Sequence, residues 1–394
     1  MTRPLLVVAC AIAATAADPS AAAAKRLPVV SIETGMRIVD EPKRSARMRI
    51  QSRGRTVFRG HVGIEIRGQA SQHFSKKPYA FETRIKGGGN RSVKLLGMPN
   101  GKDWILAAAH TDPSLMRDVL AFRTARRLGH YASRTRYVTL RLDGHTRGVY
   151  ILMEQLRRDR ARIDSDALLE LTSAAKLDRG DDAFRLPASG LVARVADVSP
   201  KAGAADVGAA AQVFERTLYG GGPWRELLDV PAVVDYVLVQ ELFKNQDAFL
   251  SSTYLHRGQD LRLRMGPVWD FDLSAGNVPV GEFASAEGWL LTDRPWAEIL
   301  YRAPDFVAAM RARWTELRRE GLLEDLLAAA ESEGRALRGP AAVNHRRWRI
   351  LGRALFEGQP VVSSHAAAVS SLRDWLQRRA TWMDTALPTL RPPA

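Results

Sequence analysis

Alternating apolar and polar positions in the first part of the chain predict strands. Residues 29–34 and 62–67 change between apolar and polar side chains at nearly every step, which is the period of a strand with one buried face. Residues 137–142 and 148–154 repeat this pattern on either side of Asp143-Gly144, a dipeptide that favours a tight hairpin turn. This part of the chain is therefore predicted to be rich in strands.

Helical periodicity dominates the later part. An earlier helix is predicted to begin at Thr111-Asp112-Pro113, where a capping oxygen precedes a proline, and to end at Gly129. Residues 231–244 place apolar side chains at helical spacing. Three further segments combine helical periodicity with charged faces: 305–319, 322–337 and 365–387.

Together these patterns predict an α+β protein in which a strand-rich unit, residues 25–155, precedes a helix-rich unit, residues 156–394. A chain of 394 residues with 46% apolar content is long enough to build two sizeable cores. Residues 157–210 mix charged residues with Gly, Ala and Pro. We interpret that stretch as a connector with small strands.

The first 24 residues have the features of an export signal. Arg3 precedes an apolar run over residues 5–14, and small residues suitable for cleavage follow at 14–16 and 22–24. Too few apolar residues precede Cys10 for a lipoprotein signal, so lipidation is disfavoured. No later apolar run is long enough for a transmembrane helix. The mature protein is expected to be secreted or periplasmic.

Charge and cysteine usage narrow the chemistry. The formal net charge of +15 persists without the signal peptide, because Arg3 and Asp18 cancel. Arginines are scattered and are not grouped with stacking aromatic residues, which predicts a solvated cationic surface with some attraction for phosphate and no specific nucleic-acid site. Cys10 is the only cysteine, so disulfides and thiolate chemistry are not expected in the mature chain. The eight histidines lack zinc-ligand spacing, and no Gly-x-Ser-x-Gly elbow occurs.

Three carboxylates stand in otherwise apolar surroundings. Asp247 follows a predicted helix, and Asp270 and Asp272 alternate with aromatic residues. A buried aspartate is either hydrogen-bonded in a turn or holds a cation, and the sequence leaves both readings open. Carboxylates are preferred ligands of Mg²⁺ or Mn²⁺ beside substrate phosphates. Strands carrying Lys76 and Lys77, followed by two Asp-bearing loops, present these groups in the order used by a protein kinase.

Residues 68–75, which include Ser71, form a polar loop of small residues between two predicted strands. The second of these strands opens with Lys76 and Lys77, so the loop is a candidate for phosphate binding. A surface hairpin with two solvated lysines is the alternative.

Several short segments, in this order, carry a family resemblance: Arg67-Gly68 with Lys76-Lys77-Pro78-Tyr79, Leu115-Met116-Arg117, Gly148-Val149-Tyr150, Glu154-Gln155, Asn245-Gln246-Asp247 and Met265-Gly266-Pro267-Val268-Trp269-Asp270-Phe271-Asp272. Together they resemble the spore coat protein H (CotH) kinase-like family. The resemblance runs from about residue 60 to about residue 314. Its most specific parts are the Trp-Asp-Phe-Asp segment and the Lys-Lys hairpin.

The resemblance implies an atypical bilobal protein-kinase-like fold, with a strand-rich N-lobe and a helix-rich C-lobe, that binds ATP with Mg²⁺ or Mn²⁺. It implies that Asp247 is the catalytic aspartate. It further implies a metal site at Asp270, helped by Asp272 and Ser252, although family members often have Asn in place of this serine, which is a weaker ligand. The implied nucleotide site comprises Lys76 or Lys77, Ser71, Arg117 and Glu154. For Glu154 the alternative is a purely structural hydrogen bond.

The function these expectations favour is that of a secreted kinase, which transfers phosphate from ATP to Ser or Thr hydroxyls of a secreted or cell-surface protein. An envelope pseudokinase or adhesin-type interaction protein without catalysis is the main alternative. A metal-dependent phosphoester hydrolase is a third. The sequence does not indicate an oligomeric state.

Overall fold

The computed structural model describes residues 26–68, 70–198, 202–279 and 281–391. The predicted signal peptide, residues 1–24, lies outside the described residues. Within them, the chain forms a closed seven-stranded barrel, a separate five-stranded sheet and seven α-helices. Strands and helices are both present, but the expected bilobal kinase-like fold is wrong, because the early strands close into a barrel.

The barrel closes through a long-range pairing. Neighbouring strands are antiparallel except where β1 pairs in parallel with β6, with Val30 opposite Leu140. The order around the barrel is β1-β2-β3-β4-β5-β7-β6. Its strands are β1 (Val29–Glu33), β2 (Arg44–Ser52), β3 (Arg55–Ile66), β4 (Tyr79–Arg84), β5 (Asp103–Ala107), β6 (Thr135–Leu142) and β7 (His145–Glu154).

The second sheet and the helices form the rest of the described chain. The sheet has the order β12-β11-β8-β10-β9, so β11 and β12 pair beside a strand that precedes them by about eighty residues. Its strands are β8 (Ala167–Thr172), β9 (Ala183–Leu186), β10 (Leu191–Val198), β11 (Thr253–Arg257) and β12 (Leu263–Met265). The helices are α1 (Arg117–Arg127), α2 (Ala202–Tyr219), α3 (Val230–Phe243), α4 (Ala297–Arg302), α5 (Pro304–Arg319), α6 (Leu322–Trp348) and α7 (His365–Thr389).

Strand β7 joins two apolar cores. Tyr150 and Leu152 point into the barrel, whereas Val149, Ile151 and Met153 pack among the helices and the second sheet. A strand that is buried on both faces reads as a continuous apolar run, which explains the unbroken apolar sequence of residues 149–153. The barrel wall therefore also serves as a wall of the second core.

Several predicted elements are confirmed. The hairpin turns at Asp143-Gly144 between β6 and β7, and the helix predicted at 231–244 is α3. Helix α1 begins later than predicted. The carboxylate of Asp112 accepts hydrogen bonds from Met116 N and Arg117 N, both at 2.9 Å, so it caps a helix that starts at Arg117.

The segment interpreted as a connector is more structured than expected. It contains β8, whose residues are all buried, then β9, β10 and the start of α2. Among the helices that the structure describes, none has both the length and the apolar run needed to cross a bilayer.

Candidate active site

A cavity of about 470 Å³ lies where the barrel, the second sheet and two loops meet. The chain leaving β3 lines one side, the second sheet lines another, and the loops that follow α3 and β12 close the cavity. The volume lies in the range of small-molecule sites. Six of the residues predicted from the sequence line it: Ser71, Lys76, Asp247, Ser252, Asp270 and Asp272.

Asp247 is positioned by the end of α3. Lys244 adopts a left-handed conformation with φ 48° and ends the helix, while its ammonium group donates to three backbone carbonyls of a neighbouring loop. Asn245 Nδ2 donates to Trp269 O at 3.4 Å, which links the two acid-bearing loops. Ser251 N donates to Asp247 O at 2.8 Å. These contacts fold the chain into a tight turn that presents Asp247 to the cavity.

Asp270 and Asp272 face the cavity because aromatic residues between and before them are anchored in the core. Phe271 is fully buried, and Trp269 stacks on Phe122 with ring centroids 5.9 Å apart. Asp270 has φ 62°, a left-handed conformation that Asp tolerates better than most residues. The aromatic residues therefore fix the loop and leave the carboxylates at its surface.

Asp118 is a cavity residue that the sequence analysis missed. It lies in the first turn of α1, and its carboxylate accepts a hydrogen bond from Phe271 N at 2.7 Å. The sequence motifs implicate its neighbour Arg117 and not Asp118. An acidic residue in the first turn of a helix is ordinarily explained by the helix dipole, so the sequence alone offers little reason to single it out.

Burial and mutual repulsion shift the titration of these acids. Burial, followed by the charge of Asp270, raises the pKa of Asp118 to about 7. Burial and then Asp118 raise the pKa of Asp272 to about 7. The pKa of Asp270 is also raised to about 7, by desolvation from the surrounding protein atoms and by the charges of Asp272 and Asp247. Because the Asp270 side chain is exposed to solvent in the cavity, water screens part of that repulsion.

Hydroxyl groups contact two of the acids. Ser252 Oγ lies 3.4 Å from Asp270 Oδ2 and donates to it. Thr111 Oγ1 donates to Asp272 Oδ2. Ser252 is thus placed beside the predicted metal-holding aspartate.

Basic side chains line the same cavity as the acids. The Arg67 guanidinium lies 5.7 Å from the centre of the Trp269 ring, and Lys176 Nζ donates to Ser251 Oγ at 2.8 Å. Arg194 forms an ion pair with Glu170 on the second sheet. The cavity therefore combines clustered carboxylates with cationic groups.

The two candidate lysines are separated by the structure. Lys76 is almost fully buried and lines the cavity, and its ammonium group donates to Ala108 O at 2.5 Å and to Val149 O at 2.6 Å. Burial lowers the pKa of Lys76 to about 7. Lys77 donates to Gln72 O and is not among the residues that line the cavity.

Ser71 lies in the loop after β3, where Gly68 has φ 85°. A Cβ added at Gly68 would come within 2.1 Å of Ser71 Oγ. The glycine is thus needed for both the backbone conformation and the close approach of the serine hydroxyl.

Arg117 and Glu154 are not brought to the cavity. Arg117 pairs with Asp112 at 2.5 Å and donates to Ser274 O at 2.9 Å, which ties the start of α1 to the loop after Asp272. Glu154 is buried and pairs with Arg162 at 2.9 Å and with Arg134 at 3.2 Å. These contacts match the structural alternative for Glu154, and Arg117 supports the acid-bearing loop from behind.

The cavity offers oxygen donors of the kind that hard divalent cations take. Within the described residues, no three His, Cys, Asp or Glu side chains form a ready-made metal cage. Mg²⁺ usually keeps several waters and binds one or two carboxylates plus substrate phosphates, so it does not require such a cage. Burial and mutual repulsion raise the pKa of Asp118, Asp270 and Asp272, and a bound cation would relieve the repulsion. The donor set therefore fits Mg²⁺ or Mn²⁺.

The barrel, the second sheet and this cavity define an α+β protein whose clustered acids and nearby cations suit a phosphorylated small molecule. The family model described as CotH kinase protein matches residues 64–181 and 224–383. The chain belongs to the CotH kinase family, as the short motifs predicted. Membership implies a kinase-like function and the use of ATP in general. The unmatched residues 182–223 include all of β9, β10 and α2. No curated protein matches the chain.

Proposed function

We propose that the protein is a secreted, metal-dependent kinase that transfers the γ-phosphoryl group of ATP to Ser or Thr hydroxyls of a secreted or cell-surface protein. The observation that carries the proposal is the meeting of Lys76, Asp247 and Asp270 in one cavity, although they lie far apart in the sequence. Phosphoryl transfer requires mainly positioned charges, and this cavity supplies both signs.

Asp270 and Asp272 are the residues that would hold the metal, with Ser252 and Asp118 beside them. The ion would neutralise charge on the phosphates when bound. The loop that carries Asp270 is held from behind, because Phe271 N donates to Asp118 and the side chain of Phe271 is buried. The protein thus keeps the ligands in place through its core.

Asp247 is the candidate base because it lines the cavity on a different loop from Asp270 and Asp272. Burial raises the pKa of Asp247, and the charges of Lys176 and Arg294 oppose that effect. A carboxylate that is partly desolvated is a better acceptor for the hydroxyl proton of a substrate. In the proposed reaction the oxygen of the acceptor hydroxyl forms a bond to the γ-phosphorus of ATP. The bond between the γ-phosphorus and the oxygen that leaves with ADP breaks, and Asp247 takes the hydroxyl proton.

Lys76 and Ser71 would meet the phosphates. Both line the cavity on the segment that follows β3, and Gly68 allows that segment to fold closely around the serine hydroxyl. Backbone and hydroxyl donors near a lysine form a suitable phosphate contact.

The test is transfer of label from γ-labelled ATP to a mixture of envelope proteins in the presence of Mg²⁺ or Mn²⁺. Label should appear on acceptor protein and should fall by at least about 100-fold with Asp247→Asn. Asp374→Asn, which changes an exposed aspartate on α7, is the matched control and should retain activity. The kinase proposal fails if no label is transferred, or if both variants transfer equally.

A noncatalytic interaction protein is the second candidate, and the contacts of Lys76 favour it. The Lys76 ammonium group already donates hydrogen bonds to two backbone carbonyls. These bonds use donors that a phosphate would otherwise accept from. Calorimetric titration with ATP, with and without metal, separates the candidates. A protein that only adheres to a partner should give no metal-dependent nucleotide binding. Release of free phosphate without labelled protein would instead indicate a phosphoester hydrolase.

A further inference from the structure

A row of arginines crosses the outside of the barrel, away from the cavity. Arg59 of β3 lies directly opposite Arg49 of β2. On its other side, Arg49 lies opposite Ser31 of β1. Ser31 in turn lies opposite Arg141 of β6, which is the next arginine in the row. All three arginines are exposed. Measured along the curved wall of the closed barrel, the row spans three gaps between strands, which is about 14 Å.

Further basic residues extend this row along the strands. Arg47 lies two residues before Arg49 on the same outer face, and Arg53 and Arg55 lie at the β2–β3 turn. From Arg47 to Arg53 the strand covers about 20 Å. We call the surface formed by Arg47, Arg49, Arg59 and Arg141 the arginine face. It extends both around the curved barrel wall and along the strands, so it is not a single line of charge.

The arginine face carries more positive than negative charge. Among the described residues, no ion pair involves any of its four guanidinium groups. Glu33, opposite Arg47, is the acidic residue in these rows. Like charges directly opposite each other on neighbouring strands destabilise a sheet. Stability alone therefore does not account for placing Arg59 against Arg49.

Exposed apolar side chains border the patch. Ile85, which is 54% exposed, lines a depression together with Arg47 and Glu33. Val57, which is 51% exposed, lines a groove with Arg53 and Arg55 at the opposite end. Met36, 52% exposed, follows Gly35 of the first depression. Apolar side chains thus project at both ends of a basic surface.

We propose that the arginine face binds peripherally to an anionic lipid bilayer. A bilayer presents lipid phosphates over an area, which suits arginines that extend about 14 Å around the curved barrel wall and, with Arg53, about 20 Å along β2. Its interface also accepts Val57 and Ile85, whereas an acidic polymer in water would leave them solvated. Docking through this face leaves the cavity open, since none of the four arginines lines it.

The experiment measures co-sedimentation of the mature protein with vesicles of phosphatidylcholine alone or mixed with phosphatidylglycerol. We expect binding only to the mixed vesicles, and weaker binding at high salt. The variant Arg49→Gln/Arg59→Gln/Arg141→Gln should bind roughly 100-fold more weakly, because each arginine near an anionic surface contributes about fivefold. Val57→Ser should reduce binding to a smaller extent.

The matched control is Arg302→Gln/Arg338→Gln/Arg378→Gln, which removes the same charge from exposed helix positions. It should bind almost as well as the unmodified protein. Equal losses in both triple variants would show that binding follows net charge and would overturn the proposal. Binding to soluble polyglutamate but not to vesicles would also overturn it. Far-ultraviolet circular dichroism checks that every variant is folded. Membrane binding does not depend on phosphoryl transfer, so the membrane proposal and the kinase proposal can fail independently of each other.

Discussion

Replacing Arg379 by Met is expected to lower the free energy of unfolding by about 3–5 kcal/mol, because it breaks a buried ion pair. Arg379 on α7 is fully buried, and its Nη2 donates to Glu241 Oε2 at 2.7 Å. The same guanidinium donates to the backbone carbonyls of Glu241, Ala286 and Gly288 at 2.7–3.1 Å. It therefore fastens α7, the end of α3 and a long loop together.

The expected magnitude follows from what Glu241 retains. Its carboxylate still accepts from Leu290 N, Leu291 N at 2.9 Å and Tyr301 Oη at 2.8 Å. Those neutral donors solvate the negative charge but do not neutralise it. A buried carboxylate without its cation is the costly product of the substitution. Because Glu241 lies six residues before Asp247 on the chain, the same change should also loosen the turn that presents the candidate base.

Urea denaturation followed by the fluorescence of the nine tryptophans measures the effect. Arg378→Met, an exposed neighbour on the same helix, is the control and should change stability by no more than about 0.5 kcal/mol. Glu241→Gln combined with Arg379→Met should cost less than the sum of the two single changes, since the pair is coupled. Additive effects, or a stable Arg379→Met variant, would refute this account of the pair.

Two further predictions concern the cavity and the pH dependence of stability. Lys76→Met should reduce phosphoryl transfer by about 100-fold or more, whereas Lys77→Met should leave it nearly unchanged. The reason is that Lys76 lines the cavity and Lys77 does not. Equal losses of the two variants in a transfer assay would contradict the assignment of Lys76 to the phosphates. Burial raises the pKa of Asp235, but hydrogen bonds from His130 and Arg313 outweigh that effect and lower it. The stabilisation is therefore present above the ordinary Asp pKa and lost as the pH falls through the lowered value. Asp235→Asn should accordingly be less stable than the unmodified protein at pH 7, and this difference should shrink in acid; a difference that stays constant in urea titrations across pH would count against it.

Local signals located much of the secondary structure. The Asp143-Gly144 turn and α3 are set by neighbouring residues, so periodicity and turn chemistry suffice to predict them. The start of α1 was misplaced because the cap is Asp112, four residues before Met116, with Leu115 at φ 64° between them. The three strands and the helix within 157–219 were undervalued because short apolar runs become strands only beside a partner such as β11.

Some residues of the candidate site are also indicated by the sequence, whereas others are revealed only by the structure. Asp247, Asp270 and Asp272 stood out because carboxylates are unusual in apolar sequence. Asp118 carries no such signal, since an acid at the start of a helix is ordinary, and its link to Phe271 N joins residues 153 positions apart. Likewise, Lys76 and Lys77 are equivalent in the sequence, and only the carbonyls of Ala108 and Val149 draw one of them inward.

The sequence by itself determined that this is an α+β protein of the CotH kinase family, with acids placed after α3 and beside Trp269, because these properties depend on residues close together in the chain. Only the tertiary structure decided the architecture of the fold and which residues line the candidate site. Closing the barrel requires β1 to pair with β6 across about a hundred residues, and such pairing is set by the combined burial of many side chains, which local patterns do not encode. For the same reason Arg117 and Glu154, which the motifs implicated, proved to be buried in ion pairs outside the cavity.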